Sequence, residues 1–334
     1  MRYFGKTGMK IKRVGFGGIP IQRISQEDTN KVIDELEKCG VNFIDTARGY
    51  TVSEEYLGNA LKGRREKFYI ATKSMSRDYE SMKRDIEISL KNLQTDYIDL
   101  YQMHNVKPAE YDTLFGEDKA YRALLEAKEQ GKIKHIGITS HGLETVEKAV
   151  ESDKFETIQF PYNIVENQAD EVFKRAYEKG VGTIVMKPLA GGAIDDGTLA
   201  MKYLLSREYI DVAIPGMDSP QQVIENTDVL QNYELTEEDN KKIAKIKSEL
   251  GTNFCRRCEY CLPCPKGINI PQNFLLEGYY NRYNLKDWAV DRYRGLAKNE
   301  RASNCIECGA CQKKCPYELP IIDMLKKVVD TLEK

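Results

Sequence analysis

Eight of the nine cysteines in this 334-residue chain fall after residue 254, and their spacing restricts what the last quarter can become. The first run is C-x2-C-x2-C-x2-C-P at Cys255, Cys258, Cys261 and Cys264. The second is C-x2-C-x2-C-x3-C-P at Cys305, Cys308, Cys311 and Cys315. Such spacing lets three thiolates approach one cubane from a single turn of chain, while the fourth cysteine, followed by proline, turns away to reach another. The runs therefore predict two 4Fe-4S clusters. The expected ligand sets cross, Cys255, Cys258 and Cys261 with Cys315, and Cys305, Cys308 and Cys311 with Cys264. Zinc is the competing reading, because paired C-x2-C units also build tetrahedral sites. A zinc site takes four ligands in two pairs, whereas each run supplies three evenly spaced cysteines plus a Cys-Pro.

Cys39 is the one cysteine outside the runs, and its apolar helical neighbours predict a buried, inert thiol. The composition shift places a domain boundary near Leu250, giving domains of residues 1–250 and 251–334. From Gly251 onward Lys and Arg exceed Asp and Glu by four, so the preceding residues carry -6 of the net charge of -2. Thiolate-ligated clusters add negative charge that this basic excess offsets. The small net charge gives no reason to expect a nucleic-acid partner. No run of 18 apolar residues could span a bilayer, and MRYFGKTGMKIKRVGFGG lacks the apolar segment of a secretory signal. The expectation is a cytoplasmic chain with no membrane partner, a setting in which disulfides are disfavoured.

Residues 1–250 read differently. Short apolar, β-branched runs occur at Arg13 to Gly17, Val41 to Asp45, Phe68 to Thr72, Tyr97 to Gln102, His135 to Thr139, Thr157 to Phe160, Gly182 to Met186 and Asp211 to Ile214. Between them lie helical patterns such as TNKVIDELEKCG, with apolar residues three and four apart. Eight strands alternating with eight helices have the rhythm of an α/β protein of the (β/α)8 TIM-barrel class. A doubly wound sheet is the rival, since the same alternation builds both. No GxGxxG follows the first strand, and Gly15-Phe16-Gly17-Gly18 reads as a strand end and turn.

In such a barrel, chemistry sits where the strands end. Asp45 closes the second strand, Tyr50 follows in its loop, Lys73 ends the third and His104 follows the fourth. Each alone has a plainer reading, as cap, packing ring, surface charge or core histidine. Together their chemistry is complementary. An ammonium such as Lys73 stabilises the phenolate of Tyr50 and so makes it a better acid, and Asp45 would keep Lys73 charged. His104 could hydrogen-bond a carbonyl oxygen.

The segments DTARGYTVSEEYLG, IATKS and DLYQMHN resemble the Asp, Tyr, Lys and His tetrad segments of the aldo-keto reductases, (β/α)8 enzymes that use a nicotinamide cofactor. The resemblance covers residues 1 to about 230. It implies a small-molecule carbonyl substrate and catalytic roles for Asp45, Tyr50, Lys73 and His104. It also implies cofactor contacts: Thr139 and Ser140 in IGITSH with Gln159 at the carboxamide, and Met186, Lys187, Leu189 and Gly191 of VMKPLAGG along the nicotinamide and pyrophosphate. Gly216, Gln222 and Asn226 of IPGMDSPQQVIEN fall around the adenosine. Three positions depart from the family pattern. Met186 stands where many members put an aromatic ring, and Gly216 and Gln222 stand where Lys and Arg commonly grip a 2'-phosphate. NADPH and NADH therefore both stay open.

Between the cysteine runs, NFLLEGYYNRYNLKDWAVDRYRGLAK has aromatic and apolar residues at helical spacing, similar to the helical ferredoxin class. There Tyr279, Tyr280, Tyr283 and Trp288 read as helix-packing residues rather than electron relays. The combined expectation is an oxidoreductase that reduces a carbonyl by hydride transfer and is coupled to electron transfer through two clusters, with a redox protein as a further partner. Clusters pass single electrons whereas nicotinamide moves a hydride, so a flavin stays open as the converter. The alternative is an electron-transfer or assembly subunit in which the barrel is a scaffold.

Overall fold

The computed structural model describes every residue except 251–253, 258, 259, 283, 284, 316 and 334. Cys258 and Tyr283 thus lie outside the described residues. The chain forms two compact units, Met1–Pro188 with Asp196–Thr236, and Leu189–Asp195 with Glu237–Lys334.

The first unit opens with an antiparallel hairpin of β1 (Arg2–Tyr3) and β2 (Lys10–Ile11). Eight parallel strands follow: β3 (Phe16–Gly17), β4 (Phe43–Asp45), β5 (Tyr69–Ser74), β6 (Ile98–Met103), β7 (Ile133–Thr139), β8 (Thr157–Pro161), β9 (Gly182–Met186) and β10 (Val212–Ala213). They pair in strictly sequential order, and parallel bridges Val14 to Ala213 and Gly17 to Gly216 join the first to the last. A doubly wound sheet would reverse its strand order at a switch point, so the architecture is a closed (β/α)8 barrel. The eight sequence-predicted strands are all present. At the closure a Cβ on Gly17 would stand 2.8 Å from the Ile214 carbonyl oxygen, which explains the glycine run better than a turn does.

Helices α1 (Gln26–Lys38), α2 (Ser53–Ala60), α3 (Tyr79–Leu93), α4 (Ala120–Glu129), α5 (Leu143–Glu151), α6 (Asp170–Lys179), α7 (Gly197–Leu205) and α8 (Pro220–Asp228) follow the strands in turn. Sequence chemistry sets their starts: Ser25 Oγ accepts from Asp28 N–H (3.0 Å), and the Asp78 carboxylate accepts from Ser81 N–H (2.9 Å). β5 and β6 are buried almost throughout, as strands covered on both faces must be. Phe4, Met9 and Ile11 of the hairpin pack with Phe43, Ala71, Leu100, Ile184 and Val212. Lys6 N–H bonds Gly180 O just before β9, so the hairpin closes the end at which strands begin and leaves their C-terminal ends for the site.

In the second unit, α9 (Glu237–Leu250) joins α10 (Ile270–Asn281), α11 (Lys286–Arg294), α12 (Ala310–Lys314) and α13 (Ile321–Leu332). Composition put residues 237–250 with the barrel, because α9 carries no cysteine to mark it. The apolar core of this unit includes Ile270, Phe274, Leu276, Tyr293, Leu325 and Val328, and it also receives Cys261 and Cys311. Tyr279 and Tyr280 pack against it, while Trp288 remains 39% exposed with its ring edge-on to Tyr279.

Candidate active site and cluster-ligand site

At the ends of β4 and β5, Lys73 Nζ donates to Asp45 Oδ2 (2.5 Å) and to Thr46 O (2.7 Å). Both side chains are sealed from water, at 1% and 3% exposure. Burial raises the Asp45 carboxyl and lowers the Lys73 ammonium; their mutual attraction opposes both shifts. Gln102 Nε2 donates to Asp45 Oδ1 (3.1 Å), and Gln159 also bonds this carboxylate. Lys73 Nζ lies 5.1 Å from the centroid of the half-buried Tyr50 ring. Tyr50 in turn meets His104 edge-on, with centroids 5.9 Å apart and planes at 83°. Desolvation, then the charges of Lys73 and Arg77, hold the His104 imidazole well below its ordinary value, so it is neutral near pH 7. The four predicted residues therefore come together around one point.

Sequence reading missed Gln102. Its signal was a polar residue inside the apolar run DLYQM, on the strand neighbouring Lys73. Gln102 Oε1, Gln159 Oε1 and His104 Nδ1 are buried and lack a hydrogen-bond partner among the described residues. Orphaned acceptors of this kind suit a polar ligand, and a nicotinamide carboxamide offers the N–H donors that Gln159 lacks. The residues fit that group.

The other predicted cofactor contacts are placed less simply. Thr139 Oγ1 accepts from Asn105 N–H (2.8 Å), and Ser140 Oγ donates to Val106 O (2.6 Å), so both hydroxyls also hold the loop behind His104. Met186 is half-buried at the end of β9, and Lys187, in the left-handed region at φ 58°, accepts from Asn163 Nδ2 (3.0 Å) through its carbonyl. Leu189 and Gly191 fall in the second unit, where Arg282 Nε donates to Gly191 O (3.1 Å). Gly216 could not carry a side chain without movement, since a Cβ there would stand 2.7 Å from Pro20 Cγ. Gln222 Oε1 accepts from Asp218 N–H (2.7 Å), and Asn226 Nδ2 donates to Gln222 O (2.8 Å). Nearby, Arg23 donates through Nε (2.8 Å) and Nη2 (2.6 Å) to Asp218 Oδ2.

In the second unit, Cys264, Cys305, Cys308 and Cys311 line one small cavity with Ile268 and Leu325. Burial raises the Cys311 thiol, and the charges of Cys305 and Cys264 raise it further. Three sulfurs from one run and the Cys-Pro sulfur of the other are a donor set that fits a cubane. Cys255, Cys261 and Cys315 pack against the same core, and among the described residues every cysteine is a free thiol. No three described His, Cys, Asp or Glu side chains are placed to hold a single metal ion. Cys39 is only half-buried, because it sits at the C-terminal end of α1 rather than on its inner face.

Residues 13–198 match the Aldo/keto reductase family, and residues 254–320 match the 4Fe-4S dicluster domain. The chain belongs to the aldo/keto reductase family. It is similar to L-galactose dehydrogenase of Arabidopsis thaliana, at 26% identity over 301 residues, covering 75% of this chain and 94% of that protein. It is also similar to methylglyoxal reductase DkgA of Escherichia coli, at 29% identity, covering 69% and 88%. Among solved structures, the holo form of aldo-keto reductase AKR11C1 from Bacillus halodurans superimposes with a TM-score of 0.65 at 26% identity, covering 73% of this chain and 95% of that one. With both domains in one chain, this aldo/keto reductase is an iron-sulfur oxidoreductase acting on a small molecule. No helix among the described residues is long and apolar enough to cross a membrane.

Proposed function

We propose that the barrel reduces the carbonyl group of a small molecule, with NADH or NADPH as donor, and that the two 4Fe-4S clusters exchange electrons with a redox partner. The observation carrying this reading is the sealed Lys73–Asp45 pair beneath Tyr50 and beside a neutral His104. The nicotinamide, when bound, supplies a hydride to the carbonyl carbon. Tyr50 gives its phenolic proton to the oxygen, so the C=O π bond becomes C–O–H. Lys73 stabilises the phenolate left behind, and Asp45 keeps Lys73 charged and oriented. His104, neutral, orients the carbonyl oxygen by a hydrogen bond without adding charge. Gln159 would accept from the carboxamide through its unpartnered Oε1, whereas Thr139 and Ser140 act mainly by fixing the loop behind His104.

A second reading keeps the barrel as a scaffold for an electron-carrying subunit. It is favoured by Gly216, which leaves no room for a phosphate-gripping side chain, and by Gly191, which is bonded within the second unit. Anaerobic titration of cluster-replete protein with NADH, NADPH and dithionite, followed optically and by EPR, separates the two. Binding of a nicotinamide nucleotide together with reduction of a carbonyl compound is expected. Cluster reduction by dithionite with no binding of either nucleotide would overturn the first reading for the second.

A further inference from the structure

His104 follows β6, yet its backbone is held from β5, the strand that carries Lys73. Its N–H donates to Ser74 O (2.8 Å), and its carbonyl accepts from Arg77 Nη2 (2.9 Å). The same nitrogen reaches Asn105 O (3.3 Å), and Arg77 Nη1 donates to Met75 O (2.9 Å). Arg77 Nε and Nη2 also engage Glu110 Oε2, at 3.3 and 3.1 Å, and that oxygen accepts from Lys107 N–H (3.1 Å). One planar cation thus ties its own loop to both sides of the turn after β6. The turn itself is made at Asn105, in the left-handed region at φ 49°, a conformation that asparagine accepts as a single residue.

We infer that Arg77 is a positioning residue, fixing His104 over Lys73 and Tyr50 by fastening the loop after β6 to the loop after β5. Lysine cannot replace it, since a point charge with tetrahedral donors cannot serve these acceptors in one plane. The charged and titratable groups facing His104 are Lys73 and Arg77, with Tyr50 edge-on. Arg77 is itself paired with Glu110. Fastening and charge act together, because the cation that holds the turn also disfavours imidazolium.

The inference rests on the proposed reading of the tetrad, but its test does not. The chain has three histidines, so imidazole NMR resolves His104 directly. In the wild type, its ring signals should not titrate between about pH 5.5 and 8. Arg77→Met should move the His104 pKa upward, with burial and Lys73 still holding it below the ordinary range, and shift its ring signals away from those produced by the Tyr50 edge contact. Arg77→Lys should keep the imidazole neutral but still move those signals, with kcat reduced about 10- to 100-fold and nucleotide binding unchanged. Glu110→Gln, which loosens the clamp without removing the cation, should move the ring signals while the imidazole stays neutral, as in Arg77→Lys, and so tests the fastening if Arg77→Met does not fold. A lower melting temperature with unchanged His104 signals in all three variants would overturn the inference. Shifted signals in a protein that reduces no carbonyl would leave it standing and sink the functional reading instead.

Discussion

Lys73 and Asp45 form an ion pair 2.5 Å long from which water is excluded, on neighbouring strands of the barrel. Desolvation pushes each toward its neutral form, so each is charged because the other is. Lys73→Met should leave a carboxylate stranded and destabilise the barrel by about 3–5 kcal/mol, the usual result of halving a buried pair. Adding Asp45→Asn should restore much of that loss. Urea denaturation of the wild type and the two variants measures it, and an unchanged midpoint for Lys73→Met would mean that the pair does not couple.

Tyr50→Phe removes a transferable proton and almost nothing else. Carbonyl reduction should fall about 10²- to 10⁴-fold, while nucleotide affinity and iron content stay at wild-type values. Turnover that survives the change would assign the proton to another group.

The adenosine end gives a binding prediction. Pro20 blocks any side chain at Gly216, Gln222 is spent on Asp218 N–H, and Asp218 holds Arg23. A 2'-phosphate would meet a carboxylate there and no unengaged guanidinium, so NADPH should bind no more tightly than NADH. Fluorescence titration checks this. A hundredfold preference for NADPH would show that Arg23 leaves Asp218 to grip the phosphate.

His104 makes the barrel sensitive to acid. Its folded pKa lies well below the unfolded value near 6.5, so below about pH 6.5 the unfolded chain binds the extra proton. This group therefore penalises folding increasingly as pH falls through that range and not at all above it. Relative to His104→Gln, the wild type should lose about 1 kcal/mol between pH 7.5 and 5.5. The buried Asp211 carboxyl, raised to about 6, titrates in both proteins and cancels in the difference.

The strands, the barrel and the clustering of Asp45, Tyr50, Lys73 and His104 were legible because they rest on short-range pattern: apolar runs of the right length, and polar residues where those runs stop. Gln102 was not, since a glutamine inside a buried strand looks like an interruption until Asp45 is found across the sheet. Arg77 was hidden for a different reason. Its partners His104, Asn105 and Glu110 lie 27 to 33 residues away, a distance at which only the fold brings side chains together. The assignment of α9 to the second unit depends on tertiary packing that no local signal reports.

Cluster ligation offers the most specific prediction. Cys264 lies 41 residues from Cys305 in sequence, yet the two share a cavity wall with Cys308 and Cys311. Three closely spaced thiolates cannot complete a four-ligand cubane, and the sulfur at hand comes from the other run. Its x2 spacing before Cys264, one residue shorter than in the second run, does not prevent this approach. Cys264→Ser should therefore disturb the cluster held by Cys305, Cys308 and Cys311 and leave the other cluster's EPR signature in place. Cys315→Ser should do the reverse, although Cys315 belongs to the second run. Because each cluster would join the two runs, chelating the iron should melt the second unit's helices while the barrel keeps its own unfolding midpoint. If Cys264→Ser perturbs only the cluster of its own run, ligation is uncrossed, and the cavity around Cys264 is packing rather than a ligand site.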